Sequence, residues 1–264
     1  GWRGDGPGGA CEGWLAYLVL RRLENGAKSS FVKQTVDEDV SPERVAAGPF
    51  DGPLSPITLH KGSTLFAPER PNSKGWDLTH TPTLDTIDTG RAPFADHRWD
   101  AHPLVSSEHK YAHATAHAII NPANPDDTVG QVVPATPDVI TAAIADATPW
   151  SAAPHDRAMI LNAIANAYEA NAPELFAILA REAGKGLPDA VAELREAVDF
   201  LRYYAAQIDQ AATARGVWTC ISPWNFPLAL FSGQVRSPLA AGTAVLPIPD
   251  APTPSCATCP ATRS

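Results

Sequence analysis

Apolar side chains recur every three or four residues between residues 189 and 209, in the segment DAVAELREAVDFLRYYAAQID. The repeat comprises Val191, Leu194, Val198, Leu201, Ala205 and Ile208. This spacing predicts a helix with one buried face, and it predicts that Arg195, Glu196 and Arg202 face solvent. Weaker repeats of the same kind predict further helices over residues 14–25, 136–147, 156–171 and 173–186.

Two short apolar runs further along the chain, GVWTCIS at 216–222 and GTAVLPI at 242–248, are typical of buried strands. A loop and a helical stretch lie between them, so the order strand, loop, helix, strand predicts the opening of a parallel α/β sheet. Pro238 falls inside the predicted helix, and we expect it to break that helix. Earlier in the chain, HAIINPAN and TVGQVVPA predict two short strands around a turn.

The stretch SPWNFP, residues 222–227, follows the first of the two buried strands. Ligands of open parallel sheets bind outside the carboxyl ends of the strands, which is where this stretch lies. Its prolines fix the loop, and the side-chain amide of Asn225 could donate to an oxygen that becomes negative during a reaction. Alternatively, Asn225 satisfies backbone groups of its own loop, and the residues alone favour this second interpretation.

The overall charge narrows the possible partners. The chain has 264 residues with 20 basic and 29 acidic side chains, which gives a net charge of −9. This balance argues against a nucleic-acid or anionic-membrane surface, because either would require a basic patch. No apolar run is long enough to span a bilayer. Four cysteines in a chain of this length do not make a disulfide scaffold, so we expect a reducing, cytoplasmic setting.

Two segments show no clear periodicity. Residues 37–108 are rich in proline, glycine, aspartate and histidine, which predicts a long linker or a segment that lies along the surface. Residues 250–264, DAPTPSCATCPATRS, have the composition of a disordered tail.

The string GVWTCISPWNFPLALFSGQV, residues 216–235, resembles the first cofactor-domain strand and loop of the aldehyde dehydrogenase superfamily. It is most similar to the dehydrogenase half of bifunctional proline-utilisation proteins. Those proteins join an FAD-dependent proline dehydrogenase to an NAD-dependent glutamate-semialdehyde dehydrogenase. HAIINPANPDDTVGQVVPAT resembles the hairpin of that half, and LAREAGKGLPDAVAELREAVDFLRYYA resembles its helix pair before the cofactor domain. YLVLRRLENGAKSSFVKQTVDED resembles the last helix of the proline dehydrogenase barrel, and FAPERPNSKGWDLT resembles the connecting segment.

The resemblance implies an α/β fold, the N-terminal part of an aldehyde dehydrogenase. A β-hairpin and helices come first, and the first strands of a Rossmann-like parallel sheet follow. The chain is thereby divided into residues 1–36, a remnant of the end of a proline dehydrogenase barrel; 37–108, a linker; 109–249, a truncated aldehyde dehydrogenase domain; and 250–264, a disordered tail.

The resemblance also implies a reaction, the oxidation of glutamate 5-semialdehyde (pyrroline-5-carboxylate) to glutamate with NAD, by an enzyme of a family that is oligomeric. It makes Asn225 a catalytic residue that helps to hold the oxyanion. Four consecutive residues would line the cofactor cleft: Ile221, Ser222, Pro223 and Trp224. Tyr17 and Arg21 match the proline-binding helix, but we do not expect FAD to bind, because the rest of the barrel has no counterpart in this chain.

The sequence departs from the family pattern in several places. No cysteine or glutamate matches the family's nucleophile or its water-activating base, and Cys220 is expected to be a small buried side chain in a strand. Ile248 and Ala251 stand where the family has a lysine and a glutamate. We therefore expect a fragment that is inactive alone. A non-catalytic interaction module, which offers an exposed sheet edge to a partner strand, is an alternative.

Histidine and cysteine spacing raises a further alternative, a metal-binding segment. His109, His113 and His117 are spaced by four, which on a helix would align three imidazoles. Cys256 and Cys259 form a CxxC pair, but a zinc site needs two more ligands at a suitable spacing, and none follows. Histidines in an alanine-rich connecting segment are usually solvated, so the sequence favours the enzyme interpretation.

Overall fold

The computed structural model describes residues 19, 23, 31–47, 61–105, 114–208 and 213–258. The chain divides into two compact units, residues 1–59 and 60–264. The smaller unit contributes helix α1 (Phe31–Val36) and helix α2 (Pro42–Ala46), whose first turn is capped by the Ser41 hydroxyl. Of the predicted helix over residues 14–25, only Val19 and Leu23 are described, and both have helical backbone.

The larger unit opens with a short 3-10 turn (Gly62–Thr64), helix α3 (Thr81–Arg91) and a second 3-10 turn (Ala92–Phe94). A three-stranded sheet follows, made of β1 (Trp99–Ala101), β2 (His117–Asn121) and β3 (Asn124–Val132). The strand order is β1-β3-β2, with β1 parallel and β2 antiparallel to β3. The predicted pair of strands around a turn is therefore β2 and β3.

Within the segment predicted to be a linker, residues 81–101 contribute side chains to the core. Ile87 on α3 and Trp99 on β1 are buried, and the Trp99 indole donates to the Glu174 carboxylate at 3.1 Å. Gly130 lies directly against the Trp99 backbone, where any side chain would clash with the Trp99 carbonyl. A three-residue strand is too short to produce a recognisable repeat, which is why the sequence pattern did not reveal it.

Arg181 fastens this sheet to the helices. Its guanidinium makes two hydrogen bonds to the Asp127 carboxylate, at 3.0 and 2.6 Å. It also donates to the carbonyls of Phe94 and His97, at 2.9 and 2.6 Å. The hydrogen bonds from Arg181 and Asn121 lower the pKa of Asp127, so this carboxylate stays charged and the pairing persists at neutral pH.

Four helices follow at the predicted places: α4 (Pro137–Asp146), α5 (Pro154–Ala170), α6 (Ala172–Ala183) and α7 (Leu187–Ala206). α6 ends at Gly184, whose φ of 67° lies in the left-handed region that favours glycine. The apolar faces of α5, α6 and α7 form the centre of the core, with Leu161, Ile178, Leu194, Val198 and Leu201 almost fully buried. The predicted repeat therefore identifies the buried face of α7 correctly.

The prediction that Arg202 faces solvent is wrong, although Glu196 is exposed as expected. Arg202 is only 6% exposed and pairs with the Glu169 carboxylate at 2.8 Å. Its guanidinium also donates to the Asn72 carbonyl at 3.0 Å. The physical reason is that residues around 70–74 cover this polar side of α7, where Asp199 binds Arg70 and the Ser73 hydroxyl. This part of the expected linker lies along the surface of the helices.

The strand–loop–helix–strand prediction is confirmed. Strand β4 (Val217–Ile221) runs parallel to β5 (Ala244–Ile248), and helix α8 (Ala229–Ala240) connects them. The helix covers one face of this pair, where Cys220, Phe231 and Val235 are buried together. None of the helices in the described ranges is long and apolar enough to cross a membrane.

Pro238 does not break α8, in contrast to the prediction. The helix continues to Ala240, and the carbonyl of Gln234, which a backbone N–H at position 238 would ordinarily bind, is contacted by the Cys220 thiol at 3.2 Å. The Pro238 carbonyl in turn accepts from the Thr243 N–H at 2.9 Å. A proline near the end of a helix removes one hydrogen bond, and here a side chain from the neighbouring strand replaces it.

Residues 250–258 of the segment expected to be a disordered tail pack against the rest of the larger unit. Residues 254–258 form a short helix, α9 (Pro254–Thr258), and Ser255, Cys256 and Ala257 are buried. The buried Glu182 carboxylate accepts from the backbone N–H groups of Ser255 and Cys256, at 2.8 and 2.6 Å. Burial raises the pKa of Glu182, and these hydrogen bonds act in the opposite direction. Composition does not reveal such a contact, because its partner lies more than seventy residues away.

Replacing Cys220 with alanine should destabilise the chain by about 1 kcal/mol, because the Gln234 carbonyl loses its donor. In a Pro238→Ala background the same replacement should cost less, since the restored backbone N–H at position 238 can donate instead. Urea denaturation of the wild-type chain, both single variants and the double variant measures this coupling. Equal costs in the two backgrounds would show that the thiol does not stand in for the missing N–H.

Candidate functional site

The loop of residues 222–228 leaves the carboxyl end of β4 and leads into α8. The Ser222 N–H donates to the Ile248 carbonyl at 3.1 Å, which extends the β4–β5 pairing by one residue. The Phe226 N–H reaches the Pro223 carbonyl at 3.4 Å and closes a turn. Asn225 lies inside this turn.

A buried carboxylate from α7 fastens the far end of the loop. Glu193, 2% exposed, accepts from the N–H groups of Leu228 and Ala229 through Oε1, at 3.0 and 3.1 Å. These groups stand at the start of α8, where backbone donors have no partner within the helix and a negative charge is favourable. The other oxygen of Glu193 lies 2.6 Å from the Lys185 ammonium. That ammonium also lies 4.6 Å from the centre of the Phe226 ring.

A second carboxylate, that of Asp250 after β5, holds the near side of the loop. Its Oδ2 accepts from the Trp224 N–H at 3.1 Å, and its Oδ1 accepts from the Ala251 N–H at 2.8 Å. Sequence reasoning missed Glu193, Lys185 and Asp250. A signal existed for Glu193, because it is a charged residue between the buried positions of α7.

Asn225 is exposed, and its side chain forms no hydrogen bond with any residue in the described ranges. The backbone N–H groups of its loop neighbours donate to other acceptors. The Trp224 N–H donates to the Asp250 carboxylate, the Phe226 N–H to the Pro223 carbonyl, and the Leu228 N–H to the Glu193 carboxylate. The interpretation that Asn225 satisfies its own loop backbone therefore has no support in this geometry. Its amide can instead donate to an oxygen of a bound molecule.

The four residues expected in the cofactor cleft differ in accessibility. Ile221 and Trp224 are 66% and 56% exposed, and Pro223 is half-buried. Ser222 is buried, and its hydroxyl has no hydrogen-bond partner among the residues described. Ile221 and Trp224 can therefore contact a ligand directly, whereas the Ser222 side chain points into the protein.

The carboxyl ends of β4 and β5 fit a nucleotide cofactor in part. Ile221 and Ile248 are paired in register, and both are exposed, as is Trp224. These side chains offer an apolar wall to a flat ring or a sugar face. Ile248 has no polar group, so it cannot hydrogen-bond a ribose hydroxyl as a lysine would.

Neither of the two cysteines in the described ranges suits a nucleophile. Cys220 is 7% exposed and burial raises the pKa of its thiol, which keeps it protonated. Cys256 is 1% exposed inside α9. Cys11 and Cys259 lie outside the described residues, as do Tyr17 and Arg21 of the expected proline site.

The position of His117 does not support a metal site made of three histidines aligned on one helix. This residue begins strand β2, so a spacing of four does not align it with the two preceding histidines as a helix would. His109 and His113 lie outside the described residues. Within the part of the chain that the structure describes, no group of three or more histidine, cysteine, aspartate or glutamate side chains could hold a metal ion.

Comparison with known proteins identifies the family of the chain. The family model described as "Aldehyde dehydrogenase family" matches residues 110–262, which include the loop and both parallel strands. The chain belongs to the aldehyde dehydrogenase family. This confirms the predicted family and the predicted α/β class.

Two proteins similar to this chain carry different names. "Bifunctional protein PutA" of Klebsiella aerogenes is 38% identical over 270 residues, covering 94% of this chain and 20% of that protein. The chain thus spans about a fifth of that relative's length. "1-pyrroline-5-carboxylate dehydrogenase" of Bacillus mycoides is 33% identical over 175 residues, covering 58% of this chain and 34% of that protein.

A solved structure supports the same fold. A crystal structure of a Proline Utilization A (PutA) mutant from Bradyrhizobium japonicum matches with a TM-score of 0.70 and 33% identity. The match covers 94% of this chain and 25% of that one.

The raised pKa of Cys220 and the burial of both described cysteines lead to a labelling prediction. In the native chain at pH 8, a thiol reagent should leave Cys220 and Cys256 largely unmodified, because little thiolate forms and access is poor. In denaturant both should react at ordinary rates. Peptide mapping by mass spectrometry distinguishes these two cysteines from the others. Rapid native labelling of Cys220 would contradict its burial.

Proposed function

We propose that this chain is part of an NAD-dependent aldehyde dehydrogenase that oxidises glutamate 5-semialdehyde, the open form of 1-pyrroline-5-carboxylate, to glutamate. The observation that carries the proposal is the exposed Asn225 amide at the carboxyl end of β4, in a loop whose backbone is held by other residues. The names of the relatives, PutA and 1-pyrroline-5-carboxylate dehydrogenase, support the choice of substrate.

Asn225 acts on the aldehyde oxygen. When a nucleophile attacks the carbonyl carbon, that oxygen becomes negative, and the Asn225 Nδ2–H donates a hydrogen bond to it. Because this donor is already in place, no free energy is spent on reorienting it during the reaction. Loss of one such donor typically removes about 2.7–4 kcal/mol of transition-state stabilisation.

NAD would supply the hydride acceptor for the carbon of the former aldehyde group after the nucleophile has added to it. Ile221, Pro223 and Trp224 would contact NAD at the end of β4. Ile248 would add an apolar contact only, so we propose that this chain binds NAD weakly. No cysteine or glutamate of this chain matches the family's nucleophile or base, and Cys220 and Cys256 are buried, so we also propose that the chain alone does not turn over.

The remaining assignments follow the same proposal. Tyr17 and Arg21 would be remnants of a proline-binding helix, and FAD would not bind to this chain. The enzyme would act in the cytoplasm as an oligomer.

One observation favours a second candidate function, a non-catalytic interaction module. Val217 and Ile221 point to the same face of β4 and are 40% and 66% exposed, so this face of the parallel pair offers apolar side chains to a partner. The two candidates differ in the effect expected from Asn225→Ala. A loss of turnover in that variant supports the enzyme, because an interaction module does not stabilise an oxyanion.

The test uses a graft in which residues 252–264 are replaced by the remainder of a related aldehyde dehydrogenase domain, with Ile248→Lys and Ala251→Glu, so that Asp250 and its hydrogen bond to the Trp224 N–H are kept. This graft should form NADH from glutamate 5-semialdehyde. Asn225→Ala should lower its kcat by roughly 100- to 1000-fold, because the oxyanion loses one donor. NAD affinity should change by less than about twofold, since the amide acts on the substrate oxygen. Asn124→Ala, which alters another exposed asparagine, is the matched control.

A folded graft that binds NAD and turns over at a rate unaffected by Asn225→Ala would contradict the role given to Asn225. A folded graft that never forms NADH would contradict the proposed reaction. Absorbance at about 340 nm, the band of a reduced nicotinamide, follows both outcomes.

A further inference from the structure

Glu193 stands in an environment that ordinarily excludes a charge. Its side chain is 1% exposed, and its neighbours on α7, Ala190, Leu194 and Ala197, are buried apolar residues. A buried carboxylate is costly unless it is paired and hydrogen-bonded. Glu193 meets both conditions, through the Lys185 ammonium and the N–H groups of Leu228 and Ala229.

These contacts join three parts of the chain at one point. Lys185 lies between α6 and α7, Glu193 lies on α7, and the two N–H groups lie at the start of α8. The Lys185 ammonium also lies over the ring of Phe226, the residue directly after Asn225. We call these contacts of Lys185 and Glu193 the anchor. The anchor holds the loop at Phe226, Leu228 and Ala229, which are one, three and four residues after Asn225.

The Asn225 side chain forms no hydrogen bond within the described chain that would fix its direction. Its orientation depends on the backbone on either side, at Trp224 through Asp250 and from Phe226 to Ala229 through Lys185 and Glu193. Because a displacement of about 1 Å can cost a hundredfold in rate, the anchor controls whether the Asn225 amide meets its target.

We propose that Glu193, held by Lys185, is the positioning residue that sets the Asn225 side chain for its contact with the reacting oxygen. This inference rests on the proposed function and deepens it. Glu193 does not touch substrate and is not a catalytic residue.

Glu193→Gln is the informative variant. Glutamine keeps the size and one acceptor oxygen, but it is neutral and forms no ion pair with the Lys185 ammonium. Its single oxygen also cannot replace both carboxylate oxygens, one facing Lys185 and the other the N–H groups of Leu228 and Ala229. Lys185→Met breaks the same pair from the other side and replaces Glu193→Gln if that variant fails to fold. Glu196→Gln is the matched control, because Glu196 is an exposed carboxylate of α7 that interacts electrostatically with Glu193 and Lys185 but forms no hydrogen bond with the loop in the described ranges.

The first measurement uses the full chain and needs no activity. In asparagine-labelled protein, the side-chain NH2 signals of Asn225 are assigned by their loss in Asn225→Ala and are followed by NMR. Glu193→Gln should shift these signals, and Glu196→Gln should leave them in place. Unchanged Asn225 signals in Glu193→Gln would overturn the proposal.

The second measurement uses the active graft. Glu193→Gln should lower kcat by about tenfold to a hundredfold, with the KM for the aldehyde changed by less than about twofold. In an Asn225→Ala background the same variant should have little further effect, because a positioning residue acts through the group that it positions. An undiminished loss in that background would overturn the proposal.

The two measurements separate the two claims. If the graft does not respond to Asn225→Ala, the proposed function fails, and the NMR signals alone decide whether Glu193 positions Asn225. If the graft responds to Asn225→Ala but not to Glu193→Gln, the proposed function stands and the positioning role is overturned.

Discussion

The candidate site depends on one interaction, the hydrogen bonds between the buried Glu193 carboxylate and the first N–H groups of α8. A helix begins with donors that its own backbone cannot satisfy, and a loop that ends there is free to move unless another group binds them. Glu193 binds two of them, and Lys185 balances its charge. With the end of the loop fixed in this way, Asn225 is left exposed and available at the carboxyl end of a parallel strand.

The sequence pattern predicts most regular elements in the larger unit, because long amphipathic repeats and short buried runs carry strong local signals. The apolar repeat of α7 and the runs that become β4 and β5 are clear examples. The loop between β4 and α8 was recognisable for a different reason. Its SPWNFP string is specific to a family, whereas chemistry alone favoured a structural role for Asn225.

What the sequence did not reveal are interactions between distant residues. Arg202 was expected in solvent, but the segment near Asn72 covers it. Pro238 was expected to break α8, but the Cys220 thiol supplies a substitute hydrogen bond. The last segment was expected to be disordered, but Glu182 binds its backbone. Each partner lies far away in the sequence, so no local pattern could have shown the contact.

Amide hydrogen exchange at Leu228 and Ala229 tests the central claim most directly. In the full chain, these two N–H groups should be protected to an extent similar to core amides such as that of Leu201. In Glu193→Ala they should exchange much faster while Leu201 stays protected, and Glu196→Ala should change neither. Protection at Leu228 and Ala229 that survives Glu193→Ala would contradict the account, because the loop would then be held by something other than this carboxylate.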